Sequence, residues 1–110
     1  MAVTIHASGE QTCVSTTEHT LTANPETTAG VFSVWLDLND LAAAEDLTIR
    51  IKEKTEDAAG TQRVVWQDYV AGVQGSEKLW VSPMLMLING WDVSIQATGT
   101  PVIPWSIRVG

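Results

Sequence analysis

The chain has one cysteine, six basic residues, one phenylalanine, one tyrosine and no long uninterrupted apolar run. Each scarcity removes a class of protein. Cys13 alone cannot form an intrachain disulfide, so the fold does not depend on oxidation, and synthesis in a reducing compartment is expected. Six Lys and Arg against thirteen Asp and Glu give a net charge of −7, which a phosphate backbone or an anionic membrane surface repels. The basic residues Arg50, Lys52, Lys54, Arg63, Lys78 and Arg108 are dispersed and make no patch. The longest apolar stretch, Leu79 to Ile88, contains Ser82 and Pro83 and is too short to span a bilayer as a helix. Met1 to His6 has neither a basic start nor a continuous apolar core, so it does not read as a signal peptide.

What is present is alternation. A length of 110 residues fits one domain, 1–110. Phe32, Val34, Leu36 and Leu38 share one phase of a strand over Gly30 to Leu38, with Val31, Ser33, Trp35 and Asp37 on the other. Leu47, Ile49 and Ile51 alternate with Thr48, Arg50 and Lys52, and Trp91, Val93, Ile95 and Ala97 alternate with Asp92, Ser94 and Gln96. Ile103, Trp105, Ile107 and Val109 define a last strand in which Pro104 predicts an edge position or a bulge. Weaker strand signals cover Val3 to Ala7, Thr12 to Ser15, Arg63 to Val70 and Leu79 to Leu87.

Turn residues punctuate these runs at Ala7-Ser8-Gly9, Asn24-Pro25, Ala59-Gly60, Gly72 to Gly75, Asn89-Gly90 and Thr98-Gly99. Asn89-Gly90 predicts a tight hairpin. Asn39 to Asp46, with an Asn or Asp cap before Leu41-Ala42-Ala43-Ala44, predicts one short connecting helix. The expected fold is all-β: a single antiparallel β-sandwich of about eight short strands, with a jelly roll among the arrangements that suit it.

Catalytic constellations are missing from the pattern. His6 sits in an alternating strand and His19 reads as a turn residue. Cys13, Glu18 and His19 have no recognised metal spacing. Ser, His and Asp occur without a Gly-x-Ser-x-Gly elbow, and Gly72-Val73-Gln74-Gly75 lacks the Lys-Ser/Thr of a phosphate loop. Asp37, Asp68 and Asp92 read as solvated outer-face carboxylates, and Glu53 to Asp57 as a charged hairpin end. The expectation is a binding or structural role with no enzyme activity, cofactor or metal.

Five tryptophans carry the remaining signal. Trp91 and Trp105 share the phase of their strands' apolar sets and are expected in the core. Trp35 falls on the opposite phase from Phe32, Val34 and Leu36, where an aromatic either packs under a loop or meets a partner. Trp66 and Trp80 lie in strands apolar in both phases, a pattern that a second subunit can cover.

The chain also resembles the small β-sandwich virion proteins of tailed bacteriophages. The resemblance rests on Thr4-Ile5-His6-Ala7-Ser8-Gly9, Glu18-His19-Thr20-Leu21, Gly30 to Leu38, Leu41 to Asp46, Leu47-Thr48-Ile49-Arg50-Ile51 and Pro104-Trp105-Ser106-Ile107-Arg108-Val109. It implies a capsid decoration or cement protein, made in the host cytoplasm, that binds the outer shell through the major capsid protein and assembles as a homotrimer. A tail or neck component is the nearest alternative, and a carbohydrate-binding module is a second. The expected interface residues are Trp35, Trp66 and Trp80, with Val3 and Ile5 in a free segment, residues 1–8, that adds a strand to a neighbouring subunit.

Overall fold

The computed structural model describes residues 4–22, 26–54, 61–72 and 78–110. Nine strands follow one another: β1 (Thr4–Thr12), β2 (Glu18–Thr20), β3 (Gly30–Asp37), β4 (Asp46–Lys54), β5 (Gln62–Ala71), β6 (Leu79–Val81), β7 (Leu85–Leu87), β8 (Asp92–Ala97) and β9 (Val102–Val109). They form two antiparallel sheets. The front sheet has the order β1-β9-β3-β6, with β7 also on β3, and the back sheet the order β2-β8-β4-β5. A shortest extent of 19 Å leaves room for two packed layers and no more.

The pairings define the topology. β1 pairs with β9, β2 with β8, β3 with both β6 and β7, and β4 with β5. Counting β6 and β7 as one interrupted strand, the chain is a long hairpin wrapped round a core, which is the jelly roll. Apart from the β4–β5 and β6–β7 neighbours, successive strands exchange sheets, so the alternation of each strand decides which residues meet in the middle.

The core follows that alternation closely. Phe32, Val34, Leu36 and Leu38 from the front layer meet Leu47, Ile49, Ile51, Trp91, Val93 and Ile95 from the back, and Ile103 and Ile107 complete the contact. Trp91 is fully buried and packs against Phe32 with the rings tilted by 44° and centroids 4.5 Å apart, its indole N–H donating to the Thr28 carbonyl at 2.9 Å. Trp105 packs against this cluster from the side. Gly9, inside β1, gives that indole its space, because a Cβ there would stand 3.3 Å from the Trp105 ring.

Several local expectations are corrected. No helix occurs among the described residues, and 39–45 forms two turns instead. Leu41 N–H donates to Leu38 O at 3.1 Å and Glu45 N–H to Ala42 O at 3.0 Å, while the Glu45 carboxylate takes the Ala42 N–H at 2.8 Å. Leu41 is buried in the core, and so short a segment cannot recover the cost of nucleating a helix. Residues 4–8 are not a free arm: they belong to β1 and pair with β9 of the same chain. Ala7-Ser8-Gly9 is accordingly strand, not turn.

Asn89-Gly90 joins strands of different sheets and makes no hairpin, since Leu87 and Trp91 are both pulled into the core from opposite layers. The Glu53 carboxylate holds this crossing by accepting the Ile88 and Asn89 N–H groups at 2.5 and 2.8 Å. β9 is central, not an edge. Pro104 lies one step beyond the last β3–β9 pair, Leu36 with Trp105, so its missing donor removes no rung on that flank. The run Leu79 to Leu87 is split where Ser82 turns inward, its N–H donating to Val34 O and its Oγ accepting the Val34 N–H.

Candidate docking face

Each sheet presents one outward face, and the two faces differ in kind. On the front sheet the outward phase of β3 is Val31, Ser33, Trp35 and Asp37, opposite Arg108 and Ser106 of β9 and Leu79 and Val81 of β6. Met86 stands opposite Val31, and Ile5 opposite Arg108. Among the described residues, six of the eleven exposed large apolar side chains sit here: Ile5, Val31, Leu79, Val81, Met84 and Met86. Met86 is 74% exposed. Scattered exposed apolar residues need no explanation, but a contiguous face of them marks an interaction surface.

At the centre of the face the Arg108 guanidinium lies over the Trp35 ring, 3.7 Å from its centroid. Such a cation–π contact holds both side chains flat against the sheet. Two depressions flank the stack. One, of about 370 Å³, is lined by Ser33, Val81, Ser82, Pro83 and Met84. The other, of about 220 Å³, runs toward Asp37, Leu79 and Pro104. The Ser82 bend shapes the first: Ser33 Oγ donates to Ser82 O at 3.1 Å and Ser82 Oγ to Pro83 O at 2.9 Å, so both hydroxyls are engaged within the chain.

Over β2, β8 and β4 the back face is polar and tied together, while β5 adds the exposed Val64 and Tyr69. Glu18 Oε2 accepts from Ser94 Oγ at 2.6 Å and from Arg50 Nη1 at 3.1 Å, and pairs with Lys52 Nζ at 3.1 Å. Arg50 also reaches Gln96 Oε1 at 3.0 Å and Gln67 Oε1 at 3.2 Å. Burial pushes the Glu18 carboxyl up, but hydrogen bonds from Ser94, Lys52 and Arg50 and the charge of Lys52 outweigh it, leaving the group below the usual range. Asp92 was expected to be solvated and is instead 4% exposed. Loss of water raises its pKa against the opposing help of Gln62, Thr22, the Glu26 backbone and Lys52.

The other expected interface residues lie elsewhere. Trp66 of β5 and Trp80 of β6 face one another across the two sheets, centroids 5.4 Å apart, and pack against the core. The Trp80 indole N–H donates to Asp68 Oδ2 at 2.8 Å, so Asp68 also turns toward the seam and not outward. These residues close one side of the sandwich. Ile5 is on the front face as described, and Val3 lies outside the described residues. The structure thus brings Trp35 and Ile5 onto one surface and takes Trp66 and Trp80 to another place.

Sequence reasoning missed Arg108, Val81, Met84 and Met86. The signal for the last three was the run from Leu79 to Leu87 with apolar residues in both phases, one phase of which the core cannot take. The two histidines have local partners and Cys13 is buried. His6 pairs with Glu26 at 3.1 Å beside Phe32 and Trp91, and His19 Nε2 accepts the Val14 N–H at 3.0 Å. Cys13 is buried, where burial and then the Glu45 charge raise its thiol pKa, so it is a poor nucleophile. Among the described residues no three His, Cys, Asp or Glu side chains group to hold a metal ion.

Comparison with known proteins returns no matching protein family, no matching curated protein and no matching solved structure.

Proposed function

We propose that this jelly roll is a structural binding protein of a tailed-phage virion that docks through the outer face of its front sheet. The particular role is that of a capsid decoration protein, seated on the shell exterior against the major capsid protein after synthesis in the host cytoplasm. The observation that carries this reading is the contiguous apolar face around Trp35 and Arg108, set on a core that is complete without it. The jelly roll, which recurs in capsid proteins, agrees by fold-level analogy alone. Homotrimer formation is part of the proposal. The long β5 edge, with Val64 and Val65 exposed, is the natural lateral contact.

The same face serves a tail or neck component equally well, and copy number separates the two. Sugar recognition is less well supported, because among the described residues Trp35 is covered by Arg108 and the exposed Tyr69 stands on the other sheet, so the two make no common aromatic platform. The test is co-sedimentation of the purified protein with phage heads that lack it, beside an insoluble-polysaccharide control. Saturable binding at hundreds of copies per head is expected. Binding at a handful of copies moves the protein to the neck or tail, and retention on polysaccharide with none on heads overturns the virion reading.

A further inference from the structure

We infer that the groove beside the Trp35–Arg108 stack is a clamp for one carboxylate on an otherwise apolar protein segment. The inference rests on the docking-face reading and adds the chemistry of the partner. Three observations lead to it. The first is that Arg108 is a charge without an acidic partner. Among the described residues it forms no ion pair, and its one hydrogen bond runs from Nε to Ser106 Oγ at 3.4 Å. By contrast Arg50 and Lys52, on the back face, both engage Glu18. A guanidinium offers five donors in a planar fork matched to a carboxylate, and lying on Trp35 it keeps most of that fork unused.

The second observation is the wall of the groove. Trp35, Val81, Pro83 and Met84 are apolar, and the polar groups of Ser33 and Ser82 are already bonded to each other or to Val34 and Pro83. A partner therefore finds a largely apolar lining with one cation in it. Apolar side chains flanking the carboxylate fit that arrangement, and they exclude water from the ion pair so that it is worth more than an exposed one.

The third is the charge around it. Asp37 borders the second depression on the far side of the stack, and the chain as a whole carries −7. A run of acidic residues would be repelled at Asp37 and at long range, whereas a single carboxylate seated on Arg108 is not. The two depressions share Trp35 and Arg108 as a common wall, and hollows on both sides of the stack suit an extended segment better than a compact small molecule.

The probes are blocked pentapeptides, acetyl-Φ-Φ-Asp-Φ-Φ-amide with Φ drawn from Leu, Phe and Trp, and the same peptides with Asn for Asp. Binding is read from NMR shifts of the Trp35 indole in the full chain. Tightest-binding Asp peptides are expected to bind about 10-fold or more better than their Asn partners, a preference that salt weakens. Arg108→Gln should erase the preference, so that Asp and Asn peptides bind alike, and Arg108→Lys should restore only part of it. Equal binding of Asp and Asn peptides, an unchanged preference in Arg108→Gln, or no binding by any member of the set overturns the clamp. Co-sedimentation separates this from the broader reading. Heads that take up Arg108→Gln as well as the wild type sink the clamp and leave the docking face standing, while heads that take up neither protein sink the virion reading and leave the peptide result to stand on its own.

Discussion

The two outward faces of this sandwich use the same strand geometry to opposite ends. On the back face Glu18 gathers Ser94, Arg50 and Lys52, and Arg50 goes on to Gln96 and Gln67, so the polar groups are satisfied within the chain. On the front face Trp35 and Arg108 satisfy one another only in part, and the apolar side chains round them have nothing to pack on. A face whose groups are already paired loses those pairs on binding. A face of exposed apolar groups gains when water leaves it. On the proposed reading the difference teaches where a partner would go: the back face ties the fold together, and the front face offers exposed apolar area for a partner to cover.

The largest way to break the comparison is to open the seam that makes two separate faces. Trp80→Ala removes the ring that meets Trp66 and strands the Asp68 carboxylate, and it should cost about 3 kcal/mol in urea unfolding. Next in size is the back-face hub. Glu18→Ala leaves the Ser94 hydroxyl, 1% exposed, without its acceptor and frees two cations, for a loss of about 2 kcal/mol at neutral pH. Because the folded pKa of Glu18 is depressed, its contribution is present above the ordinary carboxylate value and disappears as pH falls below it. The same holds for Glu26, where burial is outweighed by hydrogen bonds from His6 and Thr28. Stability of the wild type should therefore fall in acid, and fall less in Glu18→Gln.

A smaller effect has the opposite sign. Asp92 has a raised pKa, so its charge opposes folding at neutral pH and the penalty lifts as the group protonates. Asp92→Asn should raise stability at pH 7 by up to about 1 kcal/mol, with the gain vanishing in the acid range where both side chains are neutral. Smallest of all is the front face itself. Met86→Gln changes a side chain that touches little, and its effect on unfolding should stay within about 0.5 kcal/mol. If Met86→Gln were as costly as Glu18→Ala, the front face would be part of the fold and not a surface waiting for a partner.

Much of the architecture was legible because alternation reports directly on which side of a strand is buried. Phe32, Val34 and Leu36, then Leu47, Ile49 and Ile51, then Trp91, Val93 and Ile95 all fell where their phase placed them. What stayed hidden depends on pairing between distant segments. β2 reads as a turn round His19 until β8 lies beside it, and Asn89-Gly90 reads as a hairpin until Leu87 and Trp91 are assigned to different sheets. Asp92 looks like a solvated residue because the groups that meet it, Thr22 and Gln62 by hydrogen bond and Lys52 by charge, come from other segments. Trp35 was legible as a surface aromatic, yet Arg108, seventy-three positions away, could be joined to it only by the β3–β9 register.

The central claim is that the front face binds and the back face does not, and one paired measurement tests it. Val81→Asp places a charge in the front groove and Thr48→Asp places one on the back sheet, both at surface positions that leave the core untouched. Each protein, once its β circular dichroism matches the wild type, is sedimented with phage heads that lack it. The account predicts that Val81→Asp abolishes uptake while Thr48→Asp binds as the wild type does. Loss of uptake in Thr48→Asp with full uptake in Val81→Asp would contradict it and assign docking to the polar face.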